Sequence, residues 1–301
     1  MEAIQTRERI LRARQSLHGL SCGDAFGERF FLPDETALAL AEARALPAPP
    51  WFFTDDSLMA MSIVSVLAES GAIDQRKLAR SFAANYDPAR GYGPAMHRLL
   101  TRLRSPAAQW KEEAAALFGG QGSFGNGSAM RVAPLGAYFA DDLKLAVAQA
   151  EMSSMVTHSH PEAIAGAVAV AAAAALAWQR SVQGRDFLAA IDEITPSGAL
   201  RRGLQRAIDL PPETPLDTAT DVLGNGSAIT APDTVPFCLW VAAYHLDNYE
   251  EALWTTVRAM GDRDTTCAIV GGIVVMSSGL ESIPAEWLES REALPGWVEA
   301  G

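Results

Sequence analysis

From Ala163 to Trp178 the chain reads AIAGAVAVAAAAALAW, a run with no charge and mostly alanine. Alanine is the strongest helix former, and Pro161 just before it suits the first turn of a helix. The run is short for a membrane span and apolar on every side. It therefore predicts a helix enclosed all round by the rest of the chain. The rest reads as helical too. Hydrophobic spacing predicts helices near residues 4–20, 57–70, 75–84, 93–103, 107–117, 142–156, 161–180, 185–195, 198–209, 234–246, 248–260 and 265–278. Gly71 and Gly279 suit helix exits. Alternating strand patterns are nearly absent, and the connections are rich in Gly, Pro, Asp and Asn. The expectation is an all-α fold: one compact, orthogonal, many-helix domain spanning 1–301, with function carried on its loops.

Composition narrows the function. With 49% hydrophobic and 20% charged residues the chain can bury a large core. A formal net charge of −12 repels nucleic-acid backbones, so nucleic acid is not expected as a partner. Any phosphate-bearing ligand would need local help from metal ions or backbone amides. Cys22, Cys238 and Cys267 are odd in number and widely spaced, which reads as small buried residues in a reducing compartment. The first twenty residues, MEAIQTRERILRARQSLHGL, are charged throughout and lack the apolar core of a secretion signal. A cytoplasmic monomer with no membrane association is the expectation.

Two acidic clusters stand out. Trp51-Phe52-Phe53-Thr54-Asp55-Asp56-Ser57 sets two adjacent carboxylates beside three aromatics, and Gly261-Asp262-Arg263-Asp264-Thr265-Thr266 repeats the theme far along the chain. Each precedes an apolar helix and combines two aspartates with a threonine. A helix N-terminus accommodates carboxylates, so Asp56 or Asp264 can be read as an ordinary N-cap. That leaves the second aspartate of each cluster idle. If the clusters converge, Asp55, Asp56, Asp262 and Asp264 meet, and four negative charges together need cations. Two divalent ions would balance them, and all-oxygen ligands favour hard ions such as Mg or Mn. The Thr54 and Thr265 hydroxyls can add neutral ligands. Two such ions bridged by carboxylates would sit about 3.5–4 Å apart and activate water.

Between the clusters lies Gly119-Gly120-Gln121-Gly122-Ser123-Phe124-Gly125-Asn126-Gly127-Ser128. Its formal GxGxxG follows a helical pattern rather than a strand, so it is no dinucleotide fingerprint, and no Lys makes it a Walker loop. What remains is a run of amides able to cradle a diphosphate. Gly125-Asn126-Gly127-Ser128 recurs as Gly224-Asn225-Gly226-Ser227, which reads as two tight, glycine-permitted turns with exposed amides. Phe52, Phe53 and Phe124 can stack on a base or fill the core; for Phe52 the core is the better reading. His160 reads as a neighbour of the following helix N-terminus.

In this order, Gly23-Asp24-Ala25-Phe26-Gly27, Thr54-Asp55-Asp56, Gly125 to Gly136, Thr157-His158-Ser159-His160-Pro161, Asp233-Thr234-Val235-Pro236 and Asp262-Arg263-Asp264-Thr265 resemble the motifs of the ADP-ribosylglycohydrolase family. The resemblance implies an all-α domain with two Mg or Mn ions in a cleft, held by Thr54, Asp55, Asp56, Asp262, Asp264 and Thr265. It implies hydrolysis of the bond from ribose C1″ to an ADP-ribosylated protein side chain or small molecule, releasing ADP-ribose. Asp55, Asp56 and Asp264 would serve the chemistry. Ser123, Phe124, Gly125, Asn126, Gly127, Ser128 and His158 would hold the ligand, with His158 as a hydrogen-bond donor or, alternatively, a core histidine. Two positions depart from the family. Arg263 stands where a Thr is usual, at a position that faces away if the aspartates face in. The early catalytic glutamate of some members has no direct counterpart: Glu28 comes too early and Glu35 too late. Glu28 is the candidate, or else a surface ion-pair partner of Arg29. Asp24 fixes the first loop near the metals or caps its own turn. Two other readings are a non-catalytic ADP-ribose or nucleotide binder and a dinuclear-metal phosphohydrolase.

Overall fold

The computed structural model describes residues 2–299; Met1, Ala300 and Gly301 of the expected 1–301 span lie outside it. Among the described residues the chain is all-α, with eighteen α-helices, two short 3-10 turns and no strand. The first nine helices are α1 (Glu2–Glu28), α2 (Asp34–Glu42), α3 (Asp55–Ser70), α4 (Gln75–Ala84), α5 (Pro94–Leu103), α6 (Trp110–Ala115), α7 (Leu117–Gly120), α8 (Ala133–Tyr138) and α9 (Leu143–Met155). The others are α10 (Pro161–Gln179), α11 (Gly184–Ile194), α12 (Ala199–Asp209), α13 (Leu216–Leu223), α14 (Ala231–Tyr244), α15 (Tyr249–Arg258), α16 (Arg263–Ser278), α17 (Ala285–Ser290) and α18 (Gly296–Glu299).

The alanine-rich α10 is the central helix. By length and composition it could cross a membrane, yet 78% of that stretch is buried inside the protein. It packs on α8, α9, α14 and α16, and its small side chains let those neighbours approach closely. His160 is its N-cap, with Nδ1 accepting from the Glu162 amide at 3.1 Å. Gly71 closes α3 in the left-handed conformation that a helix exit favours.

The first predicted helix is longer than its sequence pattern. α1 runs on past residue 20 to Glu28, through Gly19, Gly23 and Gly27. Glycine disfavours helix by roughly 1 kcal/mol relative to alanine, so packing must hold this stretch. These glycines share one face, spaced four apart. A Cβ at each would come 2.4 Å from Gly271 O, 2.2 Å from Cys267 O and 2.2 Å from Arg263 O respectively. α1 and α16 thus touch backbone to backbone, and Asp24 on α1 is brought beside Asp264 on α16.

The aromatic end of the first acidic cluster is held by the chain's last segment. Trp51 N donates to Ser290 O at 2.7 Å, and Glu292 N donates to Trp51 O at 2.9 Å. Side chains of such an extended stretch alternate in direction. Trp51 and Phe53 point inward and are buried, whereas Phe52 is 53% exposed. This corrects the core assignment of Phe52. Phe53 lies under the Arg90 guanidinium, 4.5 Å from its centroid, and Arg90 pairs with Glu292.

Candidate functional site

The two acidic clusters converge at the N-termini of α3 and α16. Carboxylate oxygens of Asp24, Asp56 and Asp264 all lie within 4.8 Å of one another. Asp55, Asp56, Asp262, Asp264 and Thr265 share one end of a cavity of about 460 Å³, with Thr54 buried next to them. Neither Asp56 nor Asp264 is an N-cap. Thr54 caps α3 through Oγ1, and Asp262 sits at the N-cap of α16 without a side-chain capping bond. The other aspartates occupy the first turns, where free amides favour negative charge.

Asp24 does something neither sequence reading expected. Its oxygens accept from Thr54 N at 2.9 Å, Thr54 Oγ1 at 2.8 Å, Ser57 N at 3.0 Å and the Ser57 hydroxyl. A carboxylate inside α1 thereby caps the start of α3. Thr54 Oγ1 also lies 3.0 Å from Asp56 Oδ2; having one hydrogen, it can donate to only one of the two.

Charge is the outstanding property of this pole. Burial, then the neighbouring carboxylates, push Asp55 up to about 8. Burial raises Asp24 to about 6, against its four donors. Asp56 is driven well above the carboxylate range by burial and then the Asp264 charge, and Asp264 by burial and then the charges of Asp262 and Asp24. Asp262 also rises through burial, opposed by the 2.7 Å bond from Asn126 Nδ2. Asp56 Oδ1 is buried with no hydrogen-bond donor. An orphaned carboxylate oxygen among crowded acids is what a bound cation would satisfy. The donors are all oxygens, which suits hard divalent ions.

The opposite wall is backbone, small side chains and strained apolar groups. Gly125 and Gly127 line the cavity beside Ser123, Asn126 and His158. Ser128 lies just behind it, its hydroxyl donating to Ala163 O. At the mouth stand Phe118, Phe124 and Ile229, exposed by 54%, 42% and 64%. The Phe118 and Phe124 rings are 6.4 Å apart. Phe118 and Ile229 hold φ of 52° and 54°, and Met260, two residues before Asp262, holds 59°. Left-handed backbone is uncommon outside glycine and an outlier for a β-branched residue. Strain of this kind gathers at ligand sites. Phe118 and Ile229 were missed in the sequence, where only the glycines around Phe118 hinted at unusual backbone.

His158 is buried, its pKa lowered to about 3 by burial and by the Arg131 charge, so the ring is neutral. Arg263 is buried, donates to Phe30 O at 2.6 Å and lies over the Phe31 ring, away from the carboxylates. Glu28 is exposed at the end of α1 and outside the cavity wall. Its pKa is raised by partial burial and by the charges of Asp24 and Asp262.

Similarity to known proteins extends over nearly the whole chain. The sequence pattern described as ADP-ribosylglycohydrolase matches residues 5–300. ADP-ribosylhydrolase ARH3 of Gallus gallus is 29% identical over 279 residues, covering 80% of this chain and 74% of that protein. ARH3 of Homo sapiens is 26% identical over 329 residues, covering 94% and 90%. ADP-ribosylarginine hydrolase Tri1 of Pseudomonas putida (strain GB-1) is 25% identical over 291 residues, covering 92% and 73%. A solved structure titled ADP-ribosylglycohydrolase-related protein complex shares the fold, with a TM-score of 0.66 over 95% of this chain and 94% of that one at 24% identity.

Proposed function

Because this chain belongs to the ADP-ribosylglycohydrolase family, we propose that it hydrolyses the ribose C1″ bond of ADP-ribosylated protein side chains or small molecules. The observation that carries the reading is the crowded carboxylate cluster, with its orphaned Asp56 Oδ1, in a cavity also lined by the glycine loop and by Phe118 and Phe124. Thr54, Asp55, Asp56, Asp262, Asp264 and Thr265 would hold two divalent ions, Mg or Mn. When bound, such ions polarise ribose oxygens and acidify water.

The chain's own groups do the rest. The amides heading the turn at Gly127 and Ser128 have no carbonyl within their own turn and face the diphosphate. Phe118 and Phe124 offer the adenine a surface at the mouth, where stacking adds to area burial. Asp55 lines the cavity and, among the described residues, no side chain donates to its carboxylate; in this reading it takes the proton of the attacking water. Glu28, outside the cavity wall, is assigned no step.

The test is release of free ADP-ribose from a panel of ADP-ribosylated arginine, serine and small-molecule acceptors, with NAD, ATP and phosphate esters as controls. Turnover should vanish in EDTA and return with Mg or Mn. Asp264→Ala should lower it by more than the roughly 10–100-fold that outer partners of a metal site cost, with the helical fold intact. Release of phosphate but no ADP-ribose would establish a phosphohydrolase instead. Tight ADP-ribose binding without release from any acceptor would establish a binding protein.

A further inference from the structure

Arg131 is fully buried, yet among the described residues no carboxylate lies within ion-pair distance of it. Its partners are Ser153 O at 3.3 Å, Thr157 Oγ1 at 2.9 Å, Met59 Sδ at 3.5 Å and the Phe82 ring, 4.5 Å below the guanidinium. Nε has no partner. Asp55 acts on it only at a distance, and burying a charge without a contacting counter-charge is costly, so the position of this one calls for a reason beyond packing.

The reason lies in the direction of its hydrogen bonds. We propose that Arg131 is a positioning residue that acts through Thr157 to fix His158 with its proton on Nε2, so that the ring always presents a donor to the ligand. A guanidinium only donates. Thr157 Oγ1 must therefore accept from Arg131, and it lies 2.7 Å from His158 Nδ1. The hydroxyl has a single hydrogen. If Nδ1 donated to Thr157, that hydrogen would be left without an acceptor on a wholly buried residue, since Thr157 has no third hydrogen-bond partner for its hydroxyl. Leaving a buried donor unmade is the expensive outcome. Thr157 therefore donates to Nδ1, and the ring proton sits on Nε2.

The ring's other edge faces the ligand loop. A Cβ built on Gly127 would lie 2.8 Å from Nε2, and one on Gly125 would lie 3.5 Å from it. The His158 peptide is clamped as well: its amide donates to Ser154 O at 2.8 Å and its carbonyl accepts from Ser154 Oγ at 2.9 Å. The site thus matches an acceptor oxygen, on phosphate or ribose, and rejects a donor-only group at that place. The tautomer follows from this chain's geometry alone; the identity of the ligand rests on the function proposed above.

The experiment is 15N NMR of protein labelled at its histidine rings, paired with calorimetric binding of ADP-ribose in Mg. Wild-type His158 should show a bare Nδ1 and a protonated Nε2. Thr157→Val should introduce an Nδ1-protonated population and weaken ADP-ribose binding roughly three- to tenfold, the worth of one hydrogen bond. Thr157→Ser should restore both. Arg131→Met should release the tautomer as Thr157→Val does, whereas Arg131→Lys, which keeps a donor, should hold it. A proton on Nδ1 in the wild type overturns the proposal whether or not any variant folds. So does a Thr157→Val spectrum identical to wild type. If wild type shows the expected tautomer but does not bind ADP-ribose, the ligand reading fails and the relay stands.

Discussion

The same four residues, Gly-Asn-Gly-Ser, occur twice and do different work. In the first copy, Gly125 has a φ of −62°, and neither Gly125 nor Gly127 uses left-handed backbone. In the second, Gly224 and Gly226 hold φ of 85° and 88°. Side-chain absence matters for another reason in each. At Gly127 it clears room for the His158 ring. At Gly226 it lets the Asp262 turn approach, since a Cβ there would fall 2.6 Å from Asp262 Cβ. The asparagines converge on that aspartate from two sides. Asn126 Nδ2 donates to the Asp262 carboxylate at 2.7 Å, and Asn225 O accepts from the Asp262 amide at 3.1 Å. The first loop is a wall of the cavity and the second is the bracket behind it. The sequence expectation of glycine-permitted turns therefore holds for the second copy and not for the first: identical tetrapeptides take the backbone their surroundings require.

This contrast can be broken deliberately. The largest effect is expected from Asn126→Ala, which removes the donor to Asp262 and the 3.1 Å bond to Thr234 Oγ1. Metal affinity and turnover should fall roughly 10–100-fold, read by Mg titration and ADP-ribose release. Gly226→Ala should come next. A left-handed residue forced against Asp262 should cost about 1–2 kcal/mol and weaken Mg binding. Gly127→Ala should weaken ADP-ribose binding by displacing the His158 ring, 2.8 Å from the added Cβ, and should lower the melting temperature less than Gly226→Ala, because its backbone asks nothing of glycine. If Gly127→Ala destabilises as much as Gly226→Ala, the division between wall and bracket is wrong. The serines give the smallest and sharpest pair. Ser128 donates to Ala163 O at 3.1 Å and is buried, so Ser128→Ala should cost about 1 kcal/mol. Ser227 is exposed, and Ser227→Ala should stay within about 0.5 kcal/mol.

The carboxylate pole that both loops frame also predicts a pH dependence. Asp55 titrates near 8 when folded, and Asp56 and Asp264 are raised by burial and neighbouring acids, all above their unfolded values. The folded, chelated protein therefore holds more protons than the unfolded one, and stability falls as pH rises through those values. Between about pH 7 and 8.5 the melting temperature in EDTA should drop, and Mg should flatten the slope. His158 has the opposite sign, but it acts only below its ordinary 6.5, outside this window. A flat profile in EDTA would mean that the acids are less crowded than their positions imply.

Much of the fold was legible because long helices carry strong periodicity. The central α10 and the helices that follow both acidic clusters are examples. What escaped were short helices such as α2, α8 and α13, which offer too few turns for a pattern to repeat. The far end of α1 escaped because its glycines argue locally against helix and only α16 explains them. At the site, residue types raised the meeting of the two acidic clusters only as a condition, and it was the family resemblance that implied the cleft they share with the glycine loop. Asp24 was ambiguous because its partners, Thr54 and Ser57, belong to another helix. Arg131 gave no sign of its part, since burial and bond direction exist only in three dimensions. Phe52 was misjudged because its hydrophobicity says nothing of which way an extended residue turns.

The glycine face of α1 carries a consequence for how the molecule comes into being. Asp24 and Asp264 meet only when a helix from the beginning of the chain docks on one made near its end. During synthesis the ribosome must deliver everything from α1 through α16 before that docking can occur, and closing so long a loop slows folding. A nascent or truncated product lacking α16 would hold half a nest of acids. Competence would thus arrive all at once, with the emergence of α16.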